Sequence, residues 1–296
     1  MTATPVAVTE STPPRWRRDL VDGVRDTWRA RDLIVQLAKR DIRIRYKEAV
    51  MGFLWALVMP VMVILSGLII RTALSRATGG SIDRAVVLGL GLKGIMWGFF
   101  SAALGTGTTT LTSGGNLVSK IYFPRAALPI ATTITAALDA TIALTALTLA
   151  APWLGVRWSA ALLWVPILAG LLLMMTAAAV LFFSCANVFF RDVKYLVQMG
   201  LTFGIFVTPV FFEPAMLGGN APYLMLNPLA PILEGLVLAV RDGHNLLTPL
   251  IASGADGLTA IWSPWYLGYS AAWAGGGLFL AAAIFRRAEF HLADFV

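Results

Sequence analysis

A chain of 296 residues that is 58% hydrophobic and only 13% charged is too apolar to fold as an ordinary water-soluble domain. Its 23 Lys+Arg against 16 Asp+Glu give a net charge of +7, which in a soluble chain would suggest nucleic acid. In a chain this apolar the skew is topological, because cytoplasmic flanks of membrane spans collect Lys and Arg.

The N-terminal stretch Thr2–Pro14 is small, polar and proline-containing, the composition of a disordered segment, and nothing there resembles a cleavable signal peptide. Residues 1–30 read as a basic cytoplasmic tail, 31–48 as an amphipathic helix, and 49–296 as a membrane domain. In the segment Arg31–Glu48 a helical projection gathers Asp32, Gln36, Lys39, Arg40, Arg43 and Lys47 in one sector. Leu33, Ile34, Leu37, Ala38, Ile42, Ile44 and Tyr46 occupy the rest. Such a helix is expected to lie on the inner membrane surface, where anionic headgroups attract its basic face. Asp41 and Arg45 fall on the apolar side, four apart with the acid first. They either pair with each other or a partner protein, or form a mobile pair at a frayed end.

A helix needs roughly 20 apolar residues to cross a hydrocarbon core about 30 Å thick. Runs near Gly52–Ile70, Ala85–Thr106, Leu128–Ala150, Leu162–Ala186, Leu196–Phe212 and Tyr266–Phe285 read as spans. Leu229–Val240 is apolar but too short to cross, and reads as a re-entrant or interfacial segment. With both termini inside, the basic tail, the Lys120/Arg125 loop, the Arg191/Lys194 loop and Arg286/Arg287 are cytoplasmic. Arg71, Arg76, Arg84, Arg157 and Arg241 remain outside. The three arginines of the first outer loop either form a positive rim for an anionic substrate or snorkel at span ends.

Two ionisable residues interrupt spans, each at a cost of about 3 kcal/mol near the membrane centre. Lys93 lies about 12 Å inward from the outer start of span two, and Asp139 roughly 13 Å below the outer face in span three. The matched depths predict that the two approach each other or line a shared polar cavity. The alternative has Lys93 snorkelling outward and Asp139 bonding to threonines such as Thr135. Span two runs on into Thr106, Thr108, Thr109, Thr110, Thr112 and Ser113, with Trp97, Phe99 and Phe100 just above. Hydroxyls and aromatic faces suit a sugar-conducting channel, but hydroxyls also satisfy helix backbone and aromatics fill interfaces.

Gly89, Gly91 and Gly94 spell G-x-G-x-x-G, but inside a span, without the strand that a dinucleotide fingerprint needs. Gly94 and Gly98 are expected instead to permit close helix packing. No G-x-x-x-x-G-K-[ST] occurs, so the chain has no P-loop of its own. The lone Cys185 excludes an intrachain disulfide, and with only His244 and His291 besides, no metal cluster or cofactor site is legible.

Four blocks carry a family resemblance. The first is Leu33–Lys47 (LIVQLAKRDIRIRYK) followed by Gly52–Leu57 and Pro60; the second is Asn116–Pro129 (NLVSKIYFPRAALP). The third is Phe190–Val193 with Thr208-Pro209 and Asn227-Pro228 later, and the fourth is the closing Phe290–Phe295. In order and topology they resemble the ABC-2 type permeases that export bacterial polysaccharides, O-antigens and teichoic acids.

The resemblance implies an all-α membrane protein of six transmembrane helices with an N-terminal interface helix and a re-entrant segment between spans five and six. It implies a multi-pass subunit of the bacterial cytoplasmic membrane, paired with a second copy of itself and with two P-loop ATPase subunits on the cytoplasmic side, with no nucleic acid involved. Its cargo would be a lipid-linked glycan. By the same resemblance Lys39, Arg40, Asp41, Arg43 and Arg45 belong to the ATPase-facing interface helix. Asn116, Lys120, Tyr122, Phe123, Pro124 and Arg125 belong to the coupling segment, and Pro209, Asn227, Pro228 and Glu234 to an outer gate. Family members commonly carry a proline before the span-two tryptophan, where this chain reads Lys93-Gly94-Ile95-Met96-Trp97. Two rivals stand beside this reading: an ABC-2 exporter of small hydrophobic compounds, and a membrane-embedded glycosyl- or acyltransferase using acids such as Glu213, Glu234 and Asp242 with His244.

Overall fold

The computed structural model describes residues 23, 25–47, 54–78, 83–113, 124–254 and 257–289. The expected disordered tail, the coupling residues Asn116, Lys120, Tyr122 and Phe123, and the closing Phe290–Phe295 lie outside them. The elements in order are α1 (Arg31–Lys47), α2 (Leu54–Thr78), α3 (Arg84–Ser113), α4 (Ala127–Ala150), α5 (Trp164–Phe189), α6 (Val193–Val207), α7 (Ala230–Val240), β1 (Leu250–Gly254), β2 (Gly257–Trp262) and α8 (Pro264–Glu289).

Helix α3 is the axis of the bundle, contacting α2, α4, α5, α6 and α7, while α8 packs along α5. Its neighbours approach closely because glycines on the contact faces leave room. A Cβ on Gly94 would fall 2.7 Å from Val63 of α2, one on Gly67 of α2 would fall 2.7 Å from Leu90, and one on Gly107 would fall 2.5 Å from Val180 of α5. Gly98, expected to do the same, meets nothing within 4 Å and borders a cavity instead.

Among the described residues, four helices are long and apolar enough to cross a membrane: α3, α4 with the 3-10 turn that extends it to Leu154, α5 with the turn before it, and α8. Helix α2 is 25 residues long, reaching well beyond the expected Ile70, and it contains Pro60, which removes one i to i−4 hydrogen bond. Helix α6 is only 15 residues and stops at Val207, short of the expected Phe212, because Pro209 follows. The threonines of α4 fit an apolar setting because Thr132, Thr133, Thr135, Thr141, Thr145 and Thr148 each donate to the carbonyl four residues earlier.

The structure is mostly helical, as expected, with two additions to the sequence reading. The buried stripe of α1, Ile34, Leu37 and Ala38, packs with Leu111, Ala127, Leu128 and Ala131, so this helix runs beside the first half of α4. The second is an antiparallel hairpin, β1 with β2, that leads into α8. Its last residue, Trp262, is fully buried and donates from its indole to Leu246 O at 2.9 Å. Below, the end of the bundle that carries Arg125 is called the α1 end and the opposite one the hairpin end.

The tight α3–α5 contact has a measurable consequence. Gly107→Ala forces its methyl into fully buried Val180 and should lower stability by about 1–3 kcal/mol in thermal denaturation of the purified chain. Gly107→Ala with Val180→Ala should regain part of that loss.

Candidate functional site

The most deeply buried charges lie at the crossing of α3 and α7. Lys93 and Glu234 form a 2.6 Å ion pair with side chains only 3% and 2% exposed, and Lys93 also donates to Phe212 O at 3.2 Å. Every residue of α7 is buried, so the short apolar segment foreseen from sequence is an internal helix rather than one bathed in lipid. Asn227 starts it by accepting from Leu229 N at 3.1 Å and donating to Thr208 Oγ1 at 2.9 Å. Pro228 O accepts from Ser270 Oγ of α8 at 2.8 Å, and Leu226 O from the Tyr269 hydroxyl at 2.6 Å. The expected gate residues Pro209, Asn227 and Pro228 are thus gathered where α6 ends and α7 begins. Glu234 is set apart from them, on the Lys93 side.

The expected Lys93–Asp139 approach does not occur. Asp139 accepts from Arg45 and from the Tyr46 hydroxyl at the end of α1. Depth along the membrane normal was the only coordinate the sequence supplied. Rotation about each helix turns Lys93 toward α7 and Asp139 toward α1. Asp41 and Arg45 do not pair with each other either: Asp41 binds its neighbour Arg40 at 2.9 Å, and Arg45 is taken by Asp139. Helix α1 therefore meets α4 about 18 Å along from Ala127. Lys39 and Arg43 stay exposed on it.

Beside this junction is a cavity of about 500 Å³ lined by Arg40, Asp41, Arg45, Thr106, Thr110 and Thr132, among others. A second, of about 430 Å³, takes in Tyr46, Gly98, Phe99, Ser101 and Asp139. In the hydroxyl-rich stretch Thr106 and Thr108 donate to carbonyls four residues earlier, and Thr106 and Thr110 also border open space. The aromatics divide. Trp97 is buried against Gly204 of α6, where a Cβ would lie 2.9 Å from its ring, and it packs on Phe100 at 5.8 Å between centroids. Phe99 borders the second cavity.

At the α1 end, Arg125 donates its backbone N–H to Glu289 Oε1 at 3.1 Å and its guanidinium to Glu289 O. Arg286 binds Glu289 at 2.9 Å and Asp26 at 3.3 Å. The segment after Pro124 is thereby fastened to the end of α8 and to the stretch preceding α1. Sequence reasoning singled out Arg125 and passed over Glu289, because its partner lies 164 residues away.

At the hairpin end, Glu213 accepts from Arg71 at 2.7 Å and Arg241 at 2.6 Å, and Arg241 also grips Asp242 with two donors, at 2.9 and 3.0 Å. Arg71 does not snorkel: its side chain is 12% exposed. Burial works to raise the Glu213 pKa, but the guanidiniums, Arg241 foremost, hold it below the ordinary carboxylate range.

The sequence signature of the ABC-2 type transporter family matches residues 32–240. The chain is 25% identical over 247 residues, 81% of its length and 92% of the relative's, to an O-antigen export system permease protein RfbA of Myxococcus xanthus. Two Klebsiella pneumoniae proteins of the same name are 24% identical over 204 residues (68% of this chain, 77% of the relative) and 22% over 213 residues (71% and 79%).

Breaking the Lys93–Glu234 pair from one side strands the other charge in an apolar interior. Glu234→Leu or Lys93→Met alone should each cost about 3–5 kcal/mol of stability, and the double variant far less, in thermal denaturation of the purified chain. Glu213 gives a pH signature. A carboxylate with a depressed folded-state pKa adds stability that is complete above its unfolded pKa and lost as pH falls through the folded value. The melting temperature should therefore drop on acidification below the ordinary carboxylate range, and Glu213→Gln should flatten that part of the profile.

Proposed function

The chain belongs to the ABC-2 type transporter family, and we propose that it is the permease subunit of an ATP-driven exporter moving a lipid-linked polysaccharide from cytoplasm to exterior. The observation that carries this is the family match over residues 32–240 together with relatives named as O-antigen export permeases that align with most of the chain. The chain is a membrane-spanning transport subunit, and ATP hydrolysis is the work of partner subunits, in keeping with a sequence that holds no P-loop.

Six crossings, α2 to α6 and α8, put both termini in the cytoplasm, with residues 1–30 as a tail, 31–48 as the interface element and 49–296 as the transmembrane domain. Two copies enclose the passage. Support comes from the lipid- or partner-ready apolar faces of α2 and α6, where Val61, Met62, Leu65, Tyr195, Met199, Phe203 and Phe206 are all exposed. Two P-loop ATPases dock on the α1 end. Their movement enters through Asn116–Arg125, and the Arg125–Glu289–Arg286–Asp26 bonds carry it to α8 and the stretch before α1. Lys39, Arg40 and Arg43 face the cytoplasmic partner, and Arg45 carries the helix's movement to Asp139.

The carboxylates that an acyl- or glycosyltransferase would recruit are already engaged: Glu213 by two arginines, Asp242 by Arg241 and Glu234 by Lys93. His244 sits 2.9 Å from Thr248 O.

Reconstitution of the chain with a P-loop ATPase partner in vesicles containing a polyprenyl-linked glycan should give ATP-dependent delivery of glycan to the opposite face. Product formation without any ATPase would instead identify an enzyme, and stimulation by small hydrophobic drugs but not glycolipid would identify a drug exporter. In the active complex, Asp139→Asn should lower export at least tenfold while leaving ATP hydrolysis within about twofold.

A further inference from the structure

The hairpin end contains a cavity of about 580 Å³ into which five chain segments converge. Arg71 reaches it from α2, Arg84 from the first residue of α3, Trp153 and Arg157 from the link after α4, Glu213 from after α6, and Arg241 from after α7. Four arginines face three carboxylates, the others being Asp83 and Asp242, but pairing does not use the charges evenly. Glu213 and Asp242 are neutralised by Arg71 and Arg241. Arg84 and Arg157, both exposed on the rim, have no ion pair among the described residues, and Asp83 is the lone unpaired acid beside them. The Arg71 Nε–H is buried within the protein without an acceptor, while the Arg71 terminal nitrogen is held by Glu213 in the cavity wall.

The geometry points to a site for a phosphate or pyrophosphate group. The Glu213 bridge holds Arg71 and Arg241 in place along the wall, and Arg84 and Arg157 supply forked donors from the rim. The depth suits a group carried on a lipid, because Trp153, 74% exposed, lines the cavity, and tryptophans of this kind sit at headgroup level. Its role as the station where the headgroup of an exported glycolipid arrives rests on the reading that this end faces the exterior. The binding itself does not.

Isothermal titration of the full-length detergent-purified chain with inorganic pyrophosphate tests the site, with no ATPase or nucleotide present. Binding should weaken at least tenfold in Arg84→Gln/Arg157→Gln, whose exposed positions leave the melting temperature unchanged. Nanodiscs then separate the sources by native mass spectrometry. Retention of a polyprenyl pyrophosphate by the wild type and its loss in the variant identifies a lipid carrier. Equal loss of phosphatidylglycerol identifies a general anionic headgroup on the same site. Absence of pyrophosphate binding, or binding of equal strength in the double variant, overturns the proposal. Failure of ATP-driven export with this binding intact would count against the export reading alone.

Discussion

An ammonium group buried in an apolar interior is tolerable only with its counter-charge in contact, and the Lys93–Glu234 pair organises the hairpin half of the molecule around that condition. Lys93 sits on the central helix, so Glu234 has to be delivered to it, and the element that does so is a helix of only 11 residues buried on every side. Helix α7 cannot reach this position without its start being held. The turn in which the Asn227 side chain accepts from Leu229 N, its contact with Thr208, and the bonds from Ser270 and Tyr269 of α8 do that. Phe212 O, which also accepts from Lys93, draws in the chain leaving α6, and the next residue, Glu213, opens the arginine cluster above. A single buried lysine thus ties α3, α6, α7 and, through Arg71, α2 into one block.

The other half is fastened differently. Beside the apolar cluster that seats α1, its polar links are partly exposed: the ion pairs of Arg45 with Asp139 and of Arg286 with Asp26 and Glu289, and the bonds from Arg125 to Glu289. Exposed pairs contribute little to stability, typically well below 1 kcal/mol each, and they exchange partners readily. The two cavities beside Arg45 and Asp139 lie where those contacts meet the hydroxyl-bearing faces of α3 and α4.

The apolar character and order of the helices, the proline-broken segment between α6 and α8, and the basic face of α1 were legible in the chain, because each is written in local periodicity and composition. The hairpin was passed over although Gly254 and the Asp256-Gly257 pair mark a turn between its two short apolar runs, because each strand is too short to stand out in a chain dominated by helical spans. Its anchor, Trp262, gains its meaning only from Leu246 and Gly235. Lys93 and Asp139 were recognised as costly, yet joined wrongly. Glu234, read as part of a gate, proved to be the lysine's partner, and Glu289 was not singled out at all.

What the sequence determined by itself is therefore one-dimensional: which segments prefer an apolar medium, how long each is, which end of each is basic, and which charges need partners. Those properties follow from residue chemistry and helical rise; the family resemblance rested on four sequence blocks besides. What only the tertiary structure decided is which partner each charge found, and hence where the cavities and the arginine-lined site lie. Pairing depends on the rotation of every helix about its axis and on which neighbour it faces. That is set by close packing at positions such as Gly94, Gly107 and Gly204, whose contacts are remote in the chain.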